Sequence, residues 1–149
     1  MKHKVKIGIV GLSEIAIRQH LPALFKMIEV EVIGAFDPDI SKFDKANSAL
    51  GTNIKFFNSY QDICFAADAL IICSPESVLA SQVEIAVNEY GLSVMVEDSA
   101  ATNADKLEER YHSVFDAGNF KVLFFYEDAE ELIRNGAYDS FIEDVTRYL

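Results

Sequence analysis

The sequence predicts an α/β domain of the Rossmann type, a doubly wound parallel sheet in three layers with about six strands and an extra C-terminal helix. Three observations predict it. Short β-branched runs alternate with longer helical patterns from one end of the chain to the other, no linker interrupts them, and the first run ends in a glycine-opened turn that leads into a helix.

Val5 to Val10 is an apolar run broken only by Lys6 and Gly8, as expected of a strand buried on both faces. Glu14 to Ile28 follows as a helix, and Pro22 inside it predicts a kink, or two short helices meeting near His20. Val30 to Phe36 is the second strand. Pro38 and Asp39 open a helix that runs through Leu50 and stops at Gly51. Lys55 to Phe57 reads as a short third strand, Ser59 to Ala66 as a short helix, and Ala69 to Cys73 as a strongly apolar fourth strand. A helical stripe from Ser77 to Tyr90 closes on Gly91, and Val94 to Val96 is the fifth strand. Thr102 caps a helix running to Ala117 with Gly118 beyond it, and Lys121 to Tyr126 is the sixth strand. After Ala129 to Asn135, the residues Tyr138, Phe141, Ile142, Val145, Tyr148 and Leu149 fall three and four apart, the mark of an amphipathic helix that packs on its own sheet or on a second copy.

The chain has 149 residues, half of them hydrophobic and 25% charged, so a single domain over 1–149 with one core is expected. A formal net charge of −11 opposes contact with nucleic acid or anionic lipid. No stretch approaches the ~18–20 apolar residues of a spanning helix, and the N-terminus lacks a signal peptide's pattern, so the expected address is the cytoplasm. Cys64 and Cys73 lie in apolar runs at a spacing that fits no zinc or redox pair, and both are expected as buried free thiols. His3, His20 and His112 are scattered, and no Cys or carboxylate joins them at metal-ligand spacing on one face, so no metal site is expected. His20 is read as packing at the helix kink. Glu127, Asp128, Glu130 and Glu131 are read as a solvated helix start.

The turn Gly11-Leu12-Ser13-Glu14-Ile15-Ala16 fits the G-x-G-x-x-G/A fingerprint at its first and last positions, with Ser13 where the second glycine belongs. The first glycine permits a tight turn, and a pyrophosphate would approach the backbone at the helix's positive end. Ser13 places a Cβ in that approach and a hydroxyl that can donate to phosphate. The same turn also serves, without any ligand, as a strand-to-helix connection. Asp37, at the end of the second strand, stands where a carboxylate accepts the ribose hydroxyls of an adenine dinucleotide. With Asp39 nearby and no arginine adjacent, NAD is expected over NADP. The alternative is that Asp37 and Asp39 only cap the following helix.

The segments IGIVGLSEIA (Ile7 to Ala16), HLPAL (His20 to Leu24), FDPD (Phe36 to Asp39), ICSPES (Ile72 to Ser77) and VEDSAAT (Val96 to Thr102) fall in the order and spacing of one family. The chain resembles the cofactor domain of the glucose-fructose oxidoreductase / inositol dehydrogenase / rhizopine catabolism (Gfo/Idh/MocA) family. The resemblance covers about the first 125 residues. It implies NAD(P) at the Gly11 turn, Asp37 on the ribose, Ser74 and Pro75 flanking the nicotinamide side, and Glu97 near the nicotinamide ribose.

The family's strand-five motif reads Glu-Lys-Pro, and its lysine holds substrate and tunes the proton relay. Here the stretch reads Glu97-Asp98-Ser99, and a carboxylate offers none of an ammonium's donors. The family also tends to place a histidine where this chain has Glu76 to Leu79. Its second, mostly β domain, which carries the substrate pocket and the catalytic aspartate and histidine, would begin beyond Leu149. The expectation is therefore a catalytically degenerate dinucleotide-binding protein, a sensor or accessory subunit, with no catalytic residue of its own. Two alternatives stay open: an NAD-dependent oxidoreductase whose site is completed by a partner chain, and an interaction module that binds no nucleotide. The C-terminal helix is the candidate surface for a homodimer or partner protein.

Overall fold

Residues 4–99 and 103–149 are described in a computed structural model of the chain. His3 and the expected cap Thr102 lie outside the described residues. Five parallel strands form one sheet: β1 (Val5–Val10), β2 (Val30–Phe36), β3 (Ala69–Ile72), β4 (Ser93–Glu97) and β5 (Leu123–Tyr126), in the order β2-β1-β3-β4-β5. The order reverses between β1 and β3, which makes the carboxyl ends of those two strands the topological switch point.

β3 shows why the sheet must lie between two layers. Its residues alternate, Ala69 and Ile71 entering one core and Leu70 and Ile72 the other, and all four are buried. The first core takes in α1 (Leu21–Phe25), α2 (Ser41–Leu50), α7 (Ala129–Arg134) and α8 (Ala137–Thr146). The second takes in α3 (Tyr60–Ala66), α4 (Glu76–Glu84) and α6 (His112–Ala117).

The expected third strand is corrected, which leaves five strands in place of about six. Lys55 to Phe57 is reduced to a single bridge, Ala35 to Phe56, outside β2. The segment has too little free length. Ile54 N is already held by Asn47 Oδ1 at 2.8 Å, and Ser59 caps α3 by accepting from Asp62 N at 3.1 Å. The bridge sits where a third strand would extend the sheet beyond β2.

The irregularity expected near His20 is present: a π-helical turn, Ala16–His20, hands over to α1 at Leu21, and Leu21 N donates to Ala16 O five residues back, a local change of register next to Pro22 and the donor it lacks. The helix expected to run through to Ala117 breaks instead at Tyr111, between α5 (Ala104–Arg110) and α6. Asn103 caps α5 by accepting from Lys106 N at 2.9 Å. The tail stripe divides, with Tyr148 and Leu149 exposed. Tyr138, Phe141, Ile142 and Val145 of α8 are buried in the first core, against the chain's own sheet. No described helix is long and apolar enough to cross a membrane.

Candidate functional site

At the switch point the chain leaves β1 through Gly11, whose φ is +86°. A Cβ there would stand 2.8 Å from the backbone of Cys73 and Ser74, so the left-handed conformation and the close crossing both require glycine. Gly11 N donates to Phe36 O at 2.9 Å, which ties the turn to the end of β2.

Asp37 follows Phe36 and is 4% exposed. Its Oδ2 accepts from Leu12 N at 2.8 Å and its Oδ1 from Asp39 N at 2.8 Å. The turn and the acidic residue are therefore in direct contact, as the sequence reading requires. Lys42 Nζ lies 3.8 Å from Asp37 Oδ2, a neighbouring cation that the reading overlooked because it considered arginine alone.

Ser13 uses its hydroxyl locally, accepting from Ala16 N at 3.2 Å. The amides of Ser13, Glu14 and Ile15 belong to the first turn of the helix, where no intrahelical acceptor exists. Glu14 is exposed and ion-paired with Arg18 at 2.8 Å and with Lys45 of α2. The Lys45 bond, with the charges of Lys45 and Arg18, holds the Glu14 carboxyl below its usual range. Ser74 is half-buried and Pro75 exposed, and Val78 N donates to Pro75 O at 3.1 Å as α4 begins.

The end of β4 sends successive carboxylates to opposite layers. Asp98 is 3% exposed, and Arg110 Nη1 reaches its Oδ1 and Oδ2 at 2.8 and 2.9 Å. The Tyr111 hydroxyl donates to Oδ2 at 2.7 Å, and Arg110 Nη2 reaches Glu76 Oε1 at 2.7 Å. Arg110 and Tyr111 escaped the sequence reading. A usable signal was present, since a carboxylate that follows a buried strand must find a cation, and the next helix ends in one. A hollow of about 220 Å³ opens beside this group, lined by Asp98, Asn103, Ala104, Leu107, Phe125, Tyr126 and Glu127.

Glu97 points to the other layer. There His20, 0% exposed, is bonded through Nδ1 to the Tyr138 hydroxyl and through Nε2 to the Tyr126 hydroxyl. Tyr126 also approaches Cys73 Sγ at 3.8 Å. The ligating atoms of His20, Cys73 and Glu97 lie within 4.8 Å of one another. This corrects the expectation that no Cys or carboxylate joins a histidine, because three separate elements bring them together. Burial lowers the His20 imidazole to about 4, and it pushes the Cys73 thiol and the Glu97 carboxyl up. Glu97 Oε2 is buried without a hydrogen-bond partner.

The family model for oxidoreductases with an NAD-binding Rossmann fold, GFO_IDH_MocA, matches residues 5–126. No curated protein sequence matches the chain. Among solved structures, a dehydrogenase from Clostridium difficile is 26% identical with a TM-score of 0.65, over 81% of this chain and 38% of that one. The scyllo-inositol dehydrogenase of Lactobacillus casei, solved with NAD(H) and scyllo-inositol, is 23% identical with a TM-score of 0.63, over 90% of this chain and 42% of that one. The WlbA dehydrogenase of Bordetella pertussis, solved with NADH and UDP-GlcNAcA, is 24% identical with a TM-score of 0.63, over 83% of this chain and 37% of that one. The chain thus spans about two fifths of the length of these structures.

Proposed function

The chain belongs to the Gfo/Idh/MocA oxidoreductase family through its NAD-binding Rossmann domain, and from that premise we propose that it binds a nicotinamide adenine dinucleotide without performing hydride transfer from its own residues. The observation that carries the reading is the fate of Asp98. It fills the position of the family's lysine, and it is turned inward onto Arg110 and Tyr111. A carboxylate so paired presents neither a cation nor a proton donor to a substrate alcohol.

The residues present fit the dinucleotide. The first-turn amides of Ser13, Glu14 and Ile15 are the donors for its pyrophosphate, behind the Gly11-Leu12 crossing. Asp37, fixed by the Leu12 and Asp39 amides, retains lone pairs for ribose hydroxyls. Ser74 and Pro75 border the nicotinamide side, and Glu97 its ribose. When bound, the dinucleotide supplies a hydride donor or acceptor. The buried carboxylate of Asp37 favours a free 2′-hydroxyl and so NAD, while Lys42 softens the discrimination against a 2′-phosphate. The reading makes the protein a sensor or accessory subunit that reports on the nicotinamide pool.

Calorimetric titration of the full chain with NAD, NADH and NADP tests the first half. Saturable binding of NAD or NADH with weaker NADP is expected, and no heat at millimolar ligand overturns it. Incubation with NADH and oxidised polyols or sugars tests the second half. Steady absorbance of the nicotinamide is expected, and turnover by the chain alone overturns it.

A further inference from the structure

We infer that His20, Cys73 and Glu97 form a site for a divalent transition-metal ion of the zinc class, buried at the carboxyl edge of the sheet on the side opposite Asp98. The site shares only Glu97 with the proposed dinucleotide site, and its other two donors, His20 and Cys73, lie beneath the edge and away from the Gly11 turn.

Three donors of suitable type converge from three elements: an imidazole from the π-helical turn, a thiol from the end of β3 and a carboxyl from the end of β4, within 4.8 Å of one another. Nitrogen, sulfur and oxygen together suit a borderline-soft ion such as zinc, while calcium and magnesium demand oxygen throughout.

His20 is already oriented as a ligand. Its Nδ1 is engaged by the Tyr138 hydroxyl, so with the proton on Nδ1 the lone pair is on Nε2, which faces Tyr126. The Tyr126 hydroxyl lies 3.8 Å from Cys73 Sγ, so Nε2 and the thiol address the same space. A ligating histidine ordinarily has its other ring nitrogen fixed in this way. Without an ion the Tyr126 hydroxyl satisfies Nε2, and an entering cation displaces that proton donor.

Glu97 Oε2 is buried without a partner, a state that costs free energy and that a cation relieves. Charge is balanced as well. A neutral imidazole, a thiolate and a carboxylate carry two negative charges, which one divalent ion neutralises, and the thiol proton leaves to solvent.

The test uses the full chain, stripped with a chelator and titrated with Co²⁺ as the spectroscopic probe. One equivalent is expected to bind with a thiolate-to-cobalt charge-transfer band in the near ultraviolet, and Zn²⁺ is expected to abolish the band by exchange. The band should persist in Cys64→Ala, whose remaining thiol is Cys73. Cys73→Ser should lose the band and Glu97→Gln should weaken binding at least tenfold. No band in the wild type, or a band lost in folded Cys64→Ala, overturns the site. A band that survives in Cys73→Ser does the same. The wild-type and Cys64→Ala measurements decide the matter even if Cys73→Ser does not fold.

Discussion

Arg110 holds Asp98 through a single guanidinium nitrogen that lies 2.8 Å from one carboxylate oxygen and 2.9 Å from the other. The pair is asymmetric in burial, since the Asp98 side chain is 1% exposed and that of Arg110 is 25%. Removing Arg110 therefore takes the guanidinium's charge and hydrogen bonds from a buried carboxylate. Arg110→Met is expected to destabilise the fold by about 3 kcal/mol, read from urea unfolding. The double variant Arg110→Met with Asp98→Asn should recover part of that loss, and additive losses would show that the two side chains are not coupled.

Gly11→Ala combines a strained φ with a collision against the backbone of Cys73 and Ser74, just past β3, and backbone cannot swing aside. A loss of roughly 3 kcal/mol or more is expected. Gly51 is the control, because its φ is +67° but a Cβ there meets nothing within 4 Å. Gly51→Ala should cost only about 1 kcal/mol, and equal losses at the two positions would refute the crossing as the cause.

Asp37→Ala deprives the Leu12 and Asp39 amides of their acceptor, with an expected cost of about 1–3 kcal/mol before any ligand is added. It should also weaken NADH at least tenfold, about 1.4 kcal/mol. Lys42→Ala, by contrast, is expected to leave NADH affinity within about twofold and to weaken NADP further. Isothermal titration of both variants with both nucleotides separates the two contributions.

Ser13→Gly restores the small residue of the fingerprint and removes the hydroxyl that caps Ala16 N. Loss of a serine cap to glycine costs only a few tenths of a kcal/mol. Tighter NADH binding at nearly unchanged stability is expected, and unchanged affinity would show that the Ser13 Cβ does not obstruct the phosphate.

Cys64 gives the alkaline limit. Burial pushes its thiol from the ordinary 9.0 to about 11 in the folded chain. Above pH 9 the unfolded chain has released this proton and the folded chain has not, so stability falls as pH rises from about 9 to 11, by up to roughly 2–3 kcal/mol. Below 9 the contribution is complete and flat. Unfolding free energies across that range, compared with Cys64→Ala, should show a shallower alkaline decline in the variant.

Local pattern carried much of this molecule. The Gly11 turn, Asp37 at the end of β2, the break near Pro22 and the stripe of α8 all follow from spacing within one or two elements. The unread features are long-range. His20 meets Tyr126 and Tyr138 across 106 and 118 residues, and no periodicity encodes such a meeting. Asp98 lies only 12 residues from Arg110, yet it was judged against a family lysine and not as a buried charge in need of a partner. Lys55 to Phe57 misled because the β-prone pair Phe56 and Phe57 looks alike whether or not the flanking chain leaves it free to pair.

Glu97 and Asp98 are neighbours in the chain, but the sheet stands between their side chains like a partition. Each carboxyl faces its own side, that of Glu97 among His20 and Cys73 and that of Asp98 bonded by Arg110 and Tyr111. The rim of the domain is thereby split into two compartments that selection, or a protein engineer, can retune one at a time.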